Sequence, residues 1–90
     1  MAIDQDVSAQ RQQLRAELRN ERQLAGLTQK QVASAMDWSA SKMLRIETGA
    51  VSISTTDLRA LLTYYNIKDK RQTDELLDLA RAVRTGRGSR

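Results

Sequence analysis

Apolar residues recur along the chain at helical spacing, and the breaks between the runs carry helix caps and stops. Leu14, Leu18, Leu24 and Ala25 give one apolar stripe and predict a first helix, capped by Ser8 and running to about Ala25. Gly26 is a natural left-handed stop. Thr28-Gln29-Lys30-Gln31 has the form of a capping box and opens a short helix whose inner face is Val32, Ala33 and Met36. After a break at Asp37-Trp38, Ser39 caps a third helix that Gly49 ends. Only Met43 and Ile46 supply its apolar stripe, which leaves Ala40, Ser41, Lys42, Leu44 and Arg45 outward. Ser54-Thr55-Thr56-Asp57 caps a fourth helix with Leu58, Leu61, Leu62 and Tyr65 inward. Asp69-Lys70-Arg71-Gln72 caps a fifth, lined by Leu76, Leu77, Leu79, Ala80 and Val83. No stretch sustains strand alternation, so the fold class is all-α. The expected division is a loose arm over 1–7, one helical domain over 8–84 and a disordered basic tail over 85–90.

Composition narrows the function. At 90 residues the chain suits one small domain. It has no Cys and no His, which excludes disulfides, zinc fingers and nearly every catalytic triad. Glu17, Glu21, Asp57, Asp74, Glu75 and Asp78 fall on helix surfaces and caps. No glycine-rich phosphate loop or activated nucleophile is visible, so neither an enzyme nor a cofactor is expected. No apolar run is long enough for a membrane span, and Met1 to Ser8 lacks the apolar core of a signal peptide, so a cytoplasmic location is expected. The only aromatics are Trp38, Tyr64 and Tyr65, too few for the stacking platforms of single-strand binders. A formal net charge of +4 suits a polyanionic partner or a merely solvated basic surface.

The pair of short helices joined by a tight break matches a helix-turn-helix. Such a pair needs small residues such as Ala33 where its helices cross. Its second helix must bury only a narrow stripe, so that the other face can enter a DNA groove; Met43 and Ile46 are such a stripe. Arg11, Arg15, Arg19 and Arg22 share a flank of the first helix, partly offset by Glu17 and Glu21, and the row Arg11, Arg15 and Arg19 reads first as a solvated face. Adjacent Tyr64 and Tyr65 cannot both face the core, so one is left for the surface or a dimer contact.

Gly26-Leu27-Thr28-Gln29, Val32-Ala33 and the run Ser39 to Gly49 (S-A-S-K-M-L-R-I-E-T-G) resemble the phage-repressor and Xre-type helix-turn-helix domains over roughly Leu14 to Ile67. Trp38-Ser39, Ser41-Lys42 and Asp57 to Leu62 are similar to actinobacterial Xre-family regulators. The resemblance implies a five-helix, phage-repressor-like domain with the helix-turn-helix in helices 2 and 3. It implies a transcriptional regulator that binds double-stranded DNA as a homodimer, its half-sites about 34 Å apart. Carried over residue by residue, it implies base contacts from Ala40, Ser41, Leu44 and Arg45, with Arg45 open to a phosphate role instead. It implies phosphate contacts from Thr28, Gln29, Ser39 and Lys42, with Gln29 alternatively bracing the recognition helix, and an ion pair between Arg22 and Glu47. Family members commonly carry polar residues where Ala40 and Leu44 stand here, so readout by hydrogen bonds falls to Ser41, Lys42 and Arg45. Leu76, Leu77, Leu79 and Val83 can either form the dimer contact or close the monomer core. A protein-interaction module, antitoxin-like or an adaptor, is the alternative use of the same fold.

Overall fold

A computed structural model describes residues 7–85. It contains α1 (Val7–Leu24), α2 (Gln29–Met36), α3 (Ala40–Thr48), α4 (Thr55–Tyr64) and α5 (Lys70–Thr85), and no strand among those residues. The expected arm and tail otherwise lie outside the described residues; Val7 and Thr85 themselves belong to α1 and α5.

The first four helices end by the same device. At Gly26, Asp37, Gly49 and Asn66 the backbone turns left-handed, with φ of 74°, 62°, 84° and 63°. Each of the four donates its N–H to the carbonyl three residues back. The residue after it donates to the carbonyl five back, as Trp38 does to Ala33 at 2.8 Å and Ile67 to Leu62 at 3.0 Å. This is the Schellman stop, which satisfies carbonyls the helix itself leaves open. At two sites glycine removes the steric penalty; at the other two Asp and Asn tolerate it. Three of the residues that follow, Leu27, Trp38 and Ile67, pack on the core. The helix starts are set by side-chain caps. Thr28 and Gln31 form a complete capping box, Ser39 accepts from Lys42 N–H, and Ser54 accepts from Asp57 N–H.

α1 packs against α5 and α3, α2 against α3, and α4 against α5. The core joins Leu14 and Leu18 of α1, Val32 and Ala33 of α2, Met43 and Ile46 of α3, Leu58, Leu61 and Leu62 of α4, Tyr65, and Leu76, Leu77 and Ala80 of α5, with Ile53 from the α3–α4 connection. A core this small loses about 2–5 kcal/mol for each large side chain cut back to alanine.

Several expectations are corrected. Val7 is already helical, so Ser8 lies inside α1 and does not cap it. Leu24 is 73% exposed: six residues beyond Leu18, at about 100° per residue, it has turned to the outer side. Ala25 keeps the angular position of the stripe but lies past the helix end and is exposed. Leu76, Leu77 and Val83 are not a dimer face, because they are buried within the monomer, and Leu79 is only partly exposed against the same core. Of the two tyrosines, Tyr65 is buried and Tyr64 exposed.

Candidate nucleic-acid interface

α3 is nine residues long and divides sharply. Met43, Ile46 and Glu47 are buried, while Ala40, Ser41, Leu44, Arg45 and Thr48 are all exposed. The exposed five recur at steps of one and three, which places them along one side of a helix. The expected base-contacting residues therefore form a single outward stripe. Its start is small and its middle holds Leu44, half exposed, beside the cation Arg45.

The buried side is held by a carboxylate. Glu47 has no side-chain exposure and accepts three hydrogen bonds. Arg22 Nε reaches Oε2 at 2.7 Å, Arg22 Nη2 reaches Oε1 at 3.0 Å, and Gln29 Nε2 reaches Oε1 at 2.9 Å. Arg22 Nη1 also donates to the carbonyl of Leu27 at 2.9 Å. One buried cluster thus ties together α1, the residue before the α2 cap, the first turn of α2 and the last turn of α3. Glu47 is fully buried and Arg22 nearly so, and the buried carboxylate persists as a charge because it is paired and hydrogen-bonded. The hydrogen bond that Arg22 donates to Glu47 raises the pKa of Arg22, burial opposes it, and the Glu47 charge adds to the rise, so Arg22 stays a cation.

Gln29 braces α3 through Glu47, which is one of its two expected roles; its second amide N–H is the donor left for a phosphate. Thr28 and Ser39 are exposed at the starts of α2 and α3. Their oxygens accept backbone N–H groups, which leaves each hydroxyl proton available to a phosphate at a helix N-terminus. Lys42 does not stand free at the groove edge. Its ammonium pairs with Asp57 Oδ2 at 3.0 Å and lies 4.6 Å from the centre of the Trp38 ring, which gives the indole a structural partner in the turn. The side chains of that pair are 42% and 33% exposed, so Lys42 can exchange Asp57 for a phosphate.

Among the contacts that sequence reasoning missed are Lys42 with Asp57, Gln72 with Glu21 across α1 and α5, and Arg15 with the Thr48 carbonyl. None of these three lies within helical spacing, so periodicity carried no sign of them. Asp37 as a left-handed stop had a signal, since Asp tolerates that conformation where the apolar pattern breaks.

Two short helices at a tight turn, the second with one buried and one exposed face, define a helix-turn-helix, a DNA-binding class of fold. A family model described as "Helix-turn-helix domain" matches residues 13–76, and the chain belongs to that family. No curated protein matches the chain significantly. No solved structure does so either. No helix among the described residues is long and apolar enough to cross a membrane.

Proposed function

We propose that this protein is a transcriptional regulator that binds double-stranded DNA sequence-specifically by inserting α3 into the major groove, acting in the cytoplasm as a homodimer on a two-fold site. The observation that carries this is the continuous exposed stripe Ala40, Ser41, Leu44, Arg45 on a short helix whose opposite face is pinned by the Arg22–Glu47–Gln29 cluster. A rigid platform under a polar-edged stripe is what direct readout requires. Ser41 and Arg45 supply hydrogen bonds to base edges, Ala40 and Leu44 meet thymine methyls, and Thr28, Gln29, Ser39 and Lys42 take phosphates. Since Leu76, Leu77 and Val83 are buried, the two copies meet through another surface or are brought together by the DNA.

The test is a selection from random duplex DNA followed by titration of the enriched site. Arg45→Ala is expected to weaken binding to that site by about 1–3 kcal/mol while hardly changing binding to random duplex. Equal loss on both would make Arg45 a phosphate contact. No enriched sequence at all would overturn regulation by base readout. The second reading, a protein-interaction module, is favoured by one observation, the half-exposed Leu44 at the centre of the stripe, and would then lead.

A further inference from the structure

Arg11, Arg15 and Arg19 stand at four-residue steps on α1, where sequence alone reads a solvated face. The structure gives that flank a neighbour. Arg15 Nη1 donates to the carbonyl of Thr48, the last residue of α3. Both Arg11 and Arg15 lie across Gly49: a methyl placed there would sit 3.2 Å from Arg15 Nη1 and 3.4 Å from Arg11 Cδ. An open groove continues along α1 from this point; its lining includes Gln12, Gln13, Arg15, Arg19 and Thr48 and also Glu47, whose charge is paired with Arg22. The row is therefore continuous with the end of the helix that carries Arg45.

The carboxylates that were expected to offset the row form no ion pair with it among the described residues. Glu17 accepts from Gln13 at 3.1 Å, and Glu21 accepts from Gln72 of α5 at 2.7 Å. Among the described residues, Arg22, Lys42, Lys70 and Arg81 each have a carboxylate partner, whereas Arg11, Arg15 and Arg19 have none. Like charges one helical turn apart repel, so an unneutralised row of three works against the helix until an anion sits on it.

We propose that Arg11, Arg15 and Arg19 form a second phosphate-binding surface, which holds the DNA backbone alongside the groove that α3 enters. The proposal rests on the DNA-binding reading above and extends the contact surface from the helix-turn-helix to α1. The partner is the same duplex, because the Thr48 bond joins the row to the exposed stripe of α3. Phosphate contacts carry no sequence information, so this surface adds affinity and fixes orientation without changing which bases are read.

The experiment compares the wild-type protein with the Arg11→Gln/Arg19→Gln double variant on two duplexes of equal length, one carrying the selected site and one of random sequence, over a range of salt. Neither Arg11 nor Arg19 pairs with a carboxylate among the described residues, so the fold is retained, and a melting curve checks this. The slope of log affinity against log salt is expected to become shallower by about one for each residue, hence about two for the pair. The loss at fixed salt is expected to be the same factor on both duplexes. The Arg11→Lys/Arg19→Lys variant, which keeps the charge, should restore most of the slope. A folded double variant with unchanged slope and affinity overturns the proposal. If the wild type binds both duplexes equally, base readout fails, yet the slope still reports on the arginine row. If it binds neither duplex, both readings fall.

Discussion

Two ion pairs hold α3, one at each end, and their closest approaches are similar. Arg22 meets Glu47 at 2.7 Å in the last turn, and Lys42 meets Asp57 at 3.0 Å in the first. Their surroundings differ completely. Glu47 is fully buried beside an Arg22 side chain only 11% exposed, and three donors cover its two oxygens. Lys42 and Asp57 keep 42% and 33% of their side chains in water. Distance does not rank the two pairs; what replaces a lost partner does. Water takes over at the exposed pair, whereas nothing does at the buried one.

Removing the buried partner has the largest expected effect. Glu47→Ala strands the Arg22 cation, which stays charged at neutral pH because a guanidinium does not deprotonate there, and frees the brace from Gln29. Urea unfolding is expected to show a loss of about 3–5 kcal/mol. A loss below about 1 kcal/mol would mean that water reaches Arg22 and that the two pairs are equivalent, which would break the comparison. Glu47→Gln sharpens it: the amide keeps the side-chain shape but removes the charge and sets an NH2 donor against an N–H of Arg22 or Gln29, so a large loss is expected there too.

A smaller effect of opposite sign lies beside the same pair. The hydroxyl of Tyr65 is buried with no hydrogen-bond partner, so Tyr65→Phe is expected to stabilise the fold by about 1 kcal/mol. Burial raises the pKa of this phenol above its ordinary value of 10.0, the Glu47 charge adds to the rise and Arg22 opposes it. The unfolded chain therefore ionises first. The stability contributed by the neutral phenol is complete below pH 10 and falls away as pH rises above it. Thermal melts at pH 8 and near pH 11 should show the advantage of the Phe variant widening. A constant gap would mean that Tyr65 ionises equally in both states.

This contrast also marks how far sequence reading reaches. Local features were legible because they depend on neighbours in the chain. The Thr28 capping box, the Ser39 and Ser54 caps, the glycine stops and the narrow stripe of Met43 and Ile46 all stand as expected. Leu24 was misjudged through angular drift along α1, and Ser8 because the residue before it is already helical. Residues 22 and 47 meet in the structure as the family resemblance implied, although no spacing predicts it. Lys42 with Asp57 and Arg15 with Thr48 were invisible because they form only once α3 is seated between α1 and α4. For the same reason the apolar face of α5 could not be divided between core and dimer without the packing that buries it.

The smallest expected effect on stability tests the exposed pair. Lys42→Ala should cost less than about 1 kcal/mol, and a double-mutant cycle with Asp57→Asn should give a coupling of similar size that shrinks in high salt. Contact with the Trp38 ring is part of what Lys42→Ala removes, so the cycle, rather than the single variant, isolates the ion pair. On DNA the same substitution should matter more. If Lys42 leaves Asp57 for a phosphate, the salt slope of binding falls by about one and random and selected duplexes weaken alike. An unchanged slope would show that Asp57 keeps the lysine when DNA is bound. The pair at the first turn would then be a fastener like the one at the last, and the two ends of α3 would differ only in how much water they admit.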